Sequence, residues 1–337
     1  MLSRSEVRVL VTGVSGYVGQ HCAEALLREG YRVRGTVRSM AKAEVVRAAL
    51  ARVSDRTDAL DFVEADLLKE DGWAEAVQGC TFVLHVASPF IMGEPDDPND
   101  LIRPAVEGTE RVLSFAKDAG VRRVVLTSST VAITSDMVSG VGGPEDWADP
   151  DKVGSYAKSK ILAERAAWAL VGEQQGEEPM ELVVINPGGI MGPTLTGETT
   201  GTSTGMISDM IRGKMPMVPD ISIGMVDVRD VAQVHVNALD VTEAAGRRFV
   251  LASAEAIPMM RVAQTLKDAG YKKVSTRRAP SFLLKLMAPF SKDLKGMVTF
   301  LGRKVGNDNS ETKRVLGWVP TPMETSLIDM AASIHQD

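Results

Sequence analysis

A tyrosine, a lysine and a serine in the middle of the chain have the types and spacing that proton transfer needs. Tyr156 and Lys160 are four residues apart near the start of a predicted helix, so they share one helix face. A tyrosine hydroxyl has an ordinary pKa of about 10, and a neighbouring ammonium lowers it by favouring the phenolate. Ser129 ends a predicted strand, where its hydroxyl could hydrogen-bond a substrate carbonyl while Tyr156 donates a proton. The alternative is an ordinary exposed helix start.

A glycine-rich turn near the beginning of the chain could bind phosphate groups. Residues 7–11 predict a buried strand, three glycines follow, and helical periodicity begins at Tyr17. In such a unit Gly13 permits the tight turn, Gly16 lets the backbone approach a pyrophosphate, and Gly19 lets the helix pack close to the sheet. Because the spacing differs from the commoner G-x-G-x-x-G, an ordinary strand-to-helix turn is the alternative.

The end of the second predicted strand, residues 31–37, favours NADP over NAD. A carboxylate at this point would bind the ribose 2′-hydroxyl of NAD, but the chain has Arg38 here and Lys42 four residues later. Two cations suit a 2′-phosphate, whereas the alternative is a solvated basic loop. Asp66 follows the third predicted strand, where it could meet an adenine ring or, alternatively, cap the helix region at residues 73–78.

Strands and helices alternate along most of the chain, which predicts an α/β fold with a doubly wound parallel sheet. Further strands are expected at residues 60–64, 81–86, 121–126, 181–185 and 247–251. Helices are expected at residues 41–53, 98–119, 152–174 and 206–212, with a further regular segment at 226–239. Ligands collect at the carboxyl ends of parallel strands, so the segments that follow these strands are candidate binding loops.

The chain is long enough for one large domain and a smaller lobe. We expect residues 1–190 to form the NADP-binding domain, with a returning segment near residues 226–252. Residues 191–225 and 253–337 contain short helices and turns. We expect these two segments to form a smaller, substrate-binding lobe.

The composition argues against several other classes of function. The 337 residues are 44% hydrophobic and 24% charged, and the formal net charge is −6. Because no basic cluster is present, neither nucleic acid nor an anionic membrane is expected as a partner. Cys22, Cys80 and the four histidines show no metal-binding spacing. The lack of a long apolar run and of a signal-peptide pattern predicts a cytoplasmic protein. A monomer or homodimer is expected.

Short motifs distributed along the chain carry a family resemblance. They include V-T-G-V-S-G-Y-V-G at 11–19, L-H-V-A-S-P-F at 84–90, T-S-S at 127–129, Y-A-K-S-K at 156–160 and N-P-G-G-I-M-G-P at 186–193. Through these motifs the chain resembles the extended short-chain dehydrogenase/reductases, in the branch of dihydroflavonol reductases, cinnamoyl-CoA reductases and NADPH aldehyde/ketone reductases. The resemblance implies a Rossmann-type doubly wound sheet with a smaller C-terminal substrate lobe.

The same resemblance implies roles for residues at matching positions. It makes Ser129, Tyr156 and Lys160 the catalytic residues. NADP(H) would be bound by Gly13, Gly16, Tyr17, Val18, Arg38, Lys42, Asp66, Leu67, Ala87, Ser88, Thr127, Tyr156, Lys160, Pro187, Gly189, Ile190 and Ser203. Substrate contacts are expected from Phe90, Ile91, Thr134, Met191 and Met206.

Two departures from the family pattern bear on the substrate and on proton transfer. Thr134 occupies a position where plant flavonoid reductases carry asparagine, which argues against a dihydroflavonol substrate. Ala105 occupies a position where some members carry asparagine, which argues against a side-chain proton relay from that helix.

These observations predict NADPH-dependent reduction of an aldehyde or ketone to an alcohol. Methionine adapts its shape to varied apolar ligands, so a methionine-rich segment predicts bulky apolar or aromatic carbonyls, unless these residues form the lobe core. The methionines are Met191, Met206, Met210, Met215, Met217 and Met225. One alternative is a sugar-nucleotide epimerase or dehydratase, whose Tyr-Gly or Asp-Glu pair is missing from residues 130–133. The other is a non-catalytic NADP-binding sensor, which would typically lack the Tyr156 and Lys160 pair.

Overall fold

The computed structural model describes residues 3–88, 95–176, 178–199, 201–288 and 298–334. Its centre is a sheet of seven parallel strands, which confirms the predicted fold class. In spatial order the strands are β11 (Arg247–Leu251), β7 (Glu181–Pro187), β5 (Arg123–Thr127), β4 (Phe82–His85), β1 (Arg8–Val11), β2 (Arg32–Val37) and β3 (Leu60–Glu64). The strand order reverses at β1, whose neighbours are β2 and β4, and the crevice at such a reversal is the usual ligand site of these sheets.

Helices cover both faces of the sheet. One face carries α1 (Tyr17–Arg28), α2 (Met40–Leu50) and α8 (Val228–Asp240), and the other carries α3 (Trp73–Val77), α4 (Asn99–Asp118) and α6 (Ser155–Gly172). Successive strand side chains point to opposite faces, so Val9 and Val11 pack with the first group and Leu10 with the second. Strands that are apolar on both faces are therefore buried between two helical layers.

Most predicted boundaries agree with the structure to within three residues, but two segments differ more because a helix start depends on its cap. The helix expected at residues 206–212 is α7 (Thr202–Ile211), which begins earlier, after the extended backbone of Gly201. The regular segment expected at residues 226–239 divides into β10 (Met225–Asp227) and α8. Asp227 separates them, because its carboxylate accepts the Arg229 N–H at 2.7 Å and so caps α8.

Shorter elements complete the described chain. A second parallel pair joins β8 (Gly189–Met191) to β10, and a third joins β6 (Ser139–Gly142) to β13 (Lys304–Asn307). The remaining elements are α5 (Val131–Thr134), β9 (Ser222–Ile223), β12 (Ile257–Pro258), α9 (Met259–Asp268), α10 (Ser281–Met287), α11 (Ser310–Leu316) and α12 (Met323–Ser333).

A separate group of buried apolar side chains lies outside the central sheet. It draws on α7, α9 and α12, together with Met191 and Met225 from the second parallel pair. We propose that this group is the core of the predicted smaller lobe. Leu316 and Trp318, although they follow in the C-terminal segment, pack with the core of the large sheet instead.

Two kinds of feature are absent from the described ranges. None of the helices there is long and apolar enough to cross a membrane. In the same ranges, His, Cys, Asp and Glu side chains nowhere form a group of three that could hold a metal ion. Cys22 and Cys80 are both buried free thiols.

Candidate active site

The loop after β5 carries Ser129 and is tied to the end of β7. The Ser128 N–H donates to the Ile185 carbonyl at 2.8 Å, and the Thr130 N–H donates to the Pro187 carbonyl at 2.9 Å. These bonds continue the β5–β7 pairing beyond the last residue of β5. Ser129 is therefore fixed at the carboxyl edge of the sheet, as its position at a strand end predicts.

The Ser129 hydroxyl, which donates to the Pro187 carbonyl at 3.5 Å and accepts the Val131 N–H at 3.3 Å, lies close enough to the Tyr156 hydroxyl to favour the tyrosinate. Tyr156 is the second residue of α6, so the start of this helix lies directly beside the loop after β5. Ser129 is 9% exposed, whereas Tyr156 is 37% exposed. The structure thus brings together the two hydroxyls that were predicted to share a substrate oxygen, and a ligand can approach them from the tyrosine side.

Burial determines the charge state of the two ionisable groups. Although 37% of the Tyr156 residue is exposed, desolvation around its hydroxyl raises the pKa, and the Ser129 hydroxyl opposes this change. The direction is opposite to the lowering expected from a nearby ammonium, because burial is the largest cause and Ser129, not Lys160, supplies the opposing one. Burial also lowers the pKa of Lys160 to about 8, while the Glu164 carboxylate acts in the opposite direction. Tyr156 is therefore protonated at neutral pH, which is the form that a proton donor requires.

The glycine turn between β1 and α1 has the geometry of a phosphate-binding loop. Gly13 has a φ of +63°, and a Cβ atom at this residue would lie 2.9 Å from the Ala87 Cβ. At Gly19 an added Cβ would lie 2.5 Å from the Gly13 carbonyl oxygen. Gly16 is exposed and no side chain caps α1, so the first N–H groups of the helix are available to an anion.

This geometry separates two glycine substitutions. Gly16→Ala should leave the thermal unfolding temperature nearly unchanged, because its Cβ meets only the Gly13 carbonyl oxygen, at 3.3 Å, and its φ of −81° suits alanine. It should nevertheless weaken NADPH binding at least tenfold, since the methyl group occupies the approach to the phosphates. Gly19→Ala should lower the unfolding temperature by several degrees, because its contacts are backbone atoms. Equal unfolding temperatures and equal NADPH affinities in the two variants would contradict this account.

Arg38 and Lys42 follow β2 and are both exposed. Neither side chain forms an ion pair with any residue that the structure describes. Their guanidinium and ammonium groups are therefore available to a 2′-phosphate, as the sequence predicts. That contact remains a prediction.

Asp66 and Leu67 form part of a short turn after β3. The Asp66 carboxylate accepts the Leu68 N–H at 3.0 Å, and its carbonyl accepts the Trp73 indole N–H at 3.0 Å. The suggestion that Asp66 caps the helix region at residues 73–78 is wrong, because the cap of α3 is Gly72 in the left-handed conformation. The Leu67 carbonyl accepts a hydrogen bond from Arg111. An adenine contact for Asp66 and Leu67 remains a prediction.

The loop after β4 is fastened to β1 by a buried threonine that the sequence analysis missed. Thr12 Oγ1 accepts the backbone N–H groups of Val86 at 3.1 Å and Ala87 at 3.0 Å. Because Thr12 Oγ1 already accepts two hydrogen bonds, its own hydroxyl proton is donated to His85 Nδ1 at 2.9 Å. Burial lowers the pKa of His85 to about 3, with a smaller contribution from the Lys160 charge, so His85 is neutral. Thr12 thus positions Ala87 against the glycine turn.

A small pocket joins several predicted cofactor residues to the catalytic ones. Ala87, Ser88 and Thr127 line it together with Lys160 and Glu164. The pocket therefore connects the loop after β4, the end of β5 and one face of α6. These are the segments in which the sequence predicts the ribose and nicotinamide contacts.

The other predicted cofactor residues lie on elements around this edge. Tyr17 and Val18 begin α1, and the Tyr17 hydroxyl donates to the Gly192 carbonyl at 2.7 Å. That hydroxyl is engaged within the protein, so a phosphate would meet the backbone of these two residues. The rest lie at the end of the sheet or beyond it: Pro187 at the end of β7, Gly189 and Ile190 in β8, and Ser203 in the first turn of α7.

The predicted substrate residues have different environments. Phe90 and Ile91 lie outside the described residues. The Thr134 hydroxyl donates to the Thr130 carbonyl at 3.0 Å within the short helix α5. Met191 is 1% exposed and packs in the apolar group formed by α7, α9 and α12, whereas Met206 is half-buried beside that group. Met191 is therefore a packing residue in this structure, as the core alternative proposed.

Comparison with known proteins decides the family. Residues 9–252 match the NAD dependent epimerase/dehydratase family, which is well over half of the chain. The chain belongs to this family. The predicted membership among the extended short-chain dehydrogenase/reductases is confirmed.

This family member is similar to several named reductases. It is 38% identical over 256 residues to cinnamoyl-CoA reductase CAD2 of Medicago truncatula, which covers 72% of this chain and 75% of that protein. It is 30% identical to the NADPH-dependent methylglyoxal reductase GRE2 of Saccharomyces cerevisiae, over 97% of both chains. Its fold superposes on the crystal structure of yeast methylglyoxal/isovaleraldehyde reductase Gre2 complexed with NADPH, with a TM-score of 0.80, 27% identity and coverage of 97% and 98%.

Proposed function

We propose that this protein is an NADPH-dependent carbonyl reductase, which converts an aldehyde or ketone to an alcohol and can run in reverse. The observation that carries the proposal is the proximity of the Ser129 and Tyr156 hydroxyls at the carboxyl edge of the sheet, one helical turn from the buried Lys160. Relatives named as NADPH-dependent methylglyoxal reductase and cinnamoyl-CoA reductase support it.

The residues present fit NADPH. The uncapped start of α1 suits the pyrophosphate. Gly13 packs so closely on Ala87 that no side chain fits there, which keeps the turn open. Arg38 and Lys42 suit the 2′-phosphate. When bound, NADPH supplies the hydride that adds to the carbonyl carbon. Everything else that the reaction needs comes from this chain.

The catalytic side chains act on the substrate oxygen. The Ser129 hydroxyl donates a hydrogen bond to the carbonyl oxygen and so holds it at the sheet edge. Tyr156 transfers its hydroxyl proton to the same oxygen as negative charge develops there. Lys160, which is protonated below about pH 8, stabilises the tyrosinate that remains. A proton from solvent then restores the Tyr156 hydroxyl. This assignment predicts that reduction weakens as the pH rises through about 8.

For the substrate, we propose bulky apolar or aromatic carbonyls, accepted broadly. Met206 and Met215 are half-buried beside the lobe core, and Met217 is 38% exposed, so these three methionines are accessible to a ligand. Met210 and Met225 are each 1% exposed and pack in the lobe core. The proposal therefore rests on the accessible three.

The test measures the decrease in NADPH absorbance with each member of a panel of carbonyls. We expect consumption of NADPH with aromatic aldehydes, isovaleraldehyde and methylglyoxal, with better efficiency for the larger apolar members. Selectivity for a charged, strongly polar substrate would overturn the substrate class. Epimerisation of a sugar nucleotide without net consumption of NADPH would favour the epimerase alternative, and tight NADPH binding without any turnover would favour the sensor.

The cofactor preference gives a sharper test. Arg38→Ala should lower the kcat/KM ratio of NADPH to NADH by roughly 10- to 100-fold, because a charge-assisted contact to phosphate contributes ~1.5–3 kcal/mol. Lys117→Ala is the matched control, since it removes an exposed charge from the last turn of α4. If Arg38→Ala leaves the ratio unchanged, the assignment of the 2′-phosphate contact is wrong.

We further propose that the protein works in the cytoplasm, as a monomer or homodimer, and that its substrate is a small-molecule carbonyl compound or alcohol. Its two cysteines support a reducing compartment, because Cys22 and Cys80 are buried free thiols and burial raises the pKa of both. Fractionation of the native host and light scattering of the purified protein test these two statements.

A further inference from the structure

We propose that Glu164 is a positioning residue of the active site, which fixes the loop that carries Ser129 and keeps Lys160 protonated. The inference rests on the proposed function, because both residues matter there only for proton transfer to a carbonyl. Nothing in the sequence pattern of the catalytic residues requires an acid at this position.

Glu164 lies on the catalytic face of α6. Tyr156, Lys160 and Glu164 follow one another at intervals of four, so their side chains form one row along the helix. Glu164 is 1% exposed and lines the same small pocket as Lys160. A carboxylate is rarely buried in this way without several partners.

The partners of Glu164 are the two strand ends that hold Ser129. Its Oε2 accepts the Ser128 hydroxyl at 2.5 Å and the Asn186 side-chain N–H at 2.9 Å. The same Asn186 nitrogen also donates to the Ser129 carbonyl at 3.3 Å. The carboxylate therefore joins the loop after β5, which carries Ser129, to the end of the strand β7.

Arg248 on β11 balances the charge from the opposite side. Its Nε donates to Glu164 Oε1 at 2.5 Å, and its Nη1 donates to the carbonyls of Pro144 and Asp146. Its guanidinium carbon lies 3.9 Å from the ring centroid of Trp147. The guanidinium is thus fixed by the 144–147 loop, and it holds the Glu164 carboxylate in the pocket that Lys160 also lines.

Among the charged groups around Lys160, Glu164 is the one that favours the ammonium. His85 on β4 is neutral, and Arg248 is paired with Glu164. On α6 itself, Lys158 pairs with Asp151, and Arg165 lies over Trp147. The buried face of α4, which packs on α6, consists of Leu101, Ala105, Gly108, Thr109, Val112, Leu113 and Ala116. The described part of α5 contains no charged residue, so burial and Glu164 together set the pKa of Lys160 to about 8.

Competitive acetylation of the cofactor-free protein tests this link. Lys160 reacts with acetic anhydride only when neutral, so its labelling across pH, measured by peptide mass spectrometry against exposed Lys117, gives a midpoint. We expect a midpoint near 8 in the parent protein. Glu164→Gln should lower it by roughly one pH unit, because a neutral amide no longer favours the ammonium. The alkaline limb of kcat/KM should move in the same direction.

Arg248→Gln is the matched control, because it breaks the same buried ion pair but leaves the Glu164 charge. Its midpoint should be equal to that of the parent or higher. If Glu164→Gln alone does not fold, the double variant with Arg248→Gln removes both charges and should still show the lowered midpoint. An unchanged or raised midpoint without Glu164, or equal lowering in Glu164→Gln and Arg248→Gln, would overturn the inference.

The failure of this inference can be distinguished from the failure of the proposed function. Labelling requires neither NADPH nor a substrate. A parent protein that reduces no carbonyl, but in which Glu164→Gln lowers the midpoint, would refute the function and keep the link between Glu164 and Lys160. A parent protein that reduces carbonyls, but in which the midpoint does not move, would refute the link alone.

Discussion

Tyr156→Phe should lower the rate of carbonyl reduction by about 10²–10⁴-fold or more while NADPH still binds. The substitution keeps the aromatic ring and removes only the hydroxyl, which lies beside that of Ser129. Because the pKa of Tyr156 is raised by burial, the parent protein holds this proton at neutral pH and can donate it. The measurement is single-turnover oxidation of NADPH at saturating cofactor, with binding followed separately by fluorescence.

A second tyrosine provides the control for Tyr156→Phe. Tyr31 is buried at the amino end of β2, the opposite end from the carboxyl edge of the sheet, and its hydroxyl donates to the Asp240 carboxylate at 2.7 Å. Tyr31→Phe should therefore reduce stability and leave the single-turnover rate unchanged. A rate for Tyr156→Phe within threefold of the parent would mean that another group protonates the product, and the assignment would have to be abandoned.

Lys160→Met should have opposite effects on activity and stability. Turnover should fall steeply, since the ammonium that stabilises the tyrosinate is gone. Stability at pH 7 should rise by roughly 1–3 kcal/mol, because burial holds the pKa of Lys160 at about 8 instead of 10.5, so charging it in the folded protein is unfavourable. Such an exchange of stability for activity is typical of functional sites. Urea denaturation at constant cofactor concentration measures the free energy of unfolding.

The pH dependence gives this prediction a definite sign. Between about pH 8 and 10.5 the unfolded chain binds the Lys160 proton more readily than the folded protein does, so the parent gains stability as the pH rises. The advantage of Lys160→Met should therefore shrink over this range. Lys158→Met is the control, because Lys158 is on the same helix but pairs with Asp151 at the surface. A Lys160→Met protein less stable than the parent at pH 7 would contradict the prediction.

The sheet and the glycine turn could be predicted because their signals are local. Each strand is a short apolar run. Gly19 is required by contacts within the same turn, and Gly13 by a contact with Ala87 after the neighbouring strand β4. The helix start at Thr202 and the cap at Asp227 were not predicted, because hydrophobic periodicity does not locate caps. The catalytic residues were found through their spacing and a family resemblance, not through geometry.

The groups that tune the site could not be predicted from spacing alone. Glu164 contacts residues 36, 22 and 84 positions away, so its partners become evident only when β5, β7 and β11 are assembled. Its position four residues after Lys160 was the one available signal, since an acid on the buried face of a helix is unusual. The pKa of Tyr156 was expected to fall, but burial, which spacing does not reveal, raises it.

The central claim is that hydride passes from NADPH to a carbonyl carbon while Tyr156 protonates the oxygen. The most direct measurement uses NADPH deuterated at the reactive C4 position, with an aromatic aldehyde from the panel, and mass spectrometry of the product alcohol. We predict one deuterium on the carbinol carbon in the parent protein and a strongly reduced rate of the same labelling in Tyr156→Phe. Oxidation of NADPH without deuterium in the alcohol, or no labelled alcohol from any carbonyl, would contradict the account.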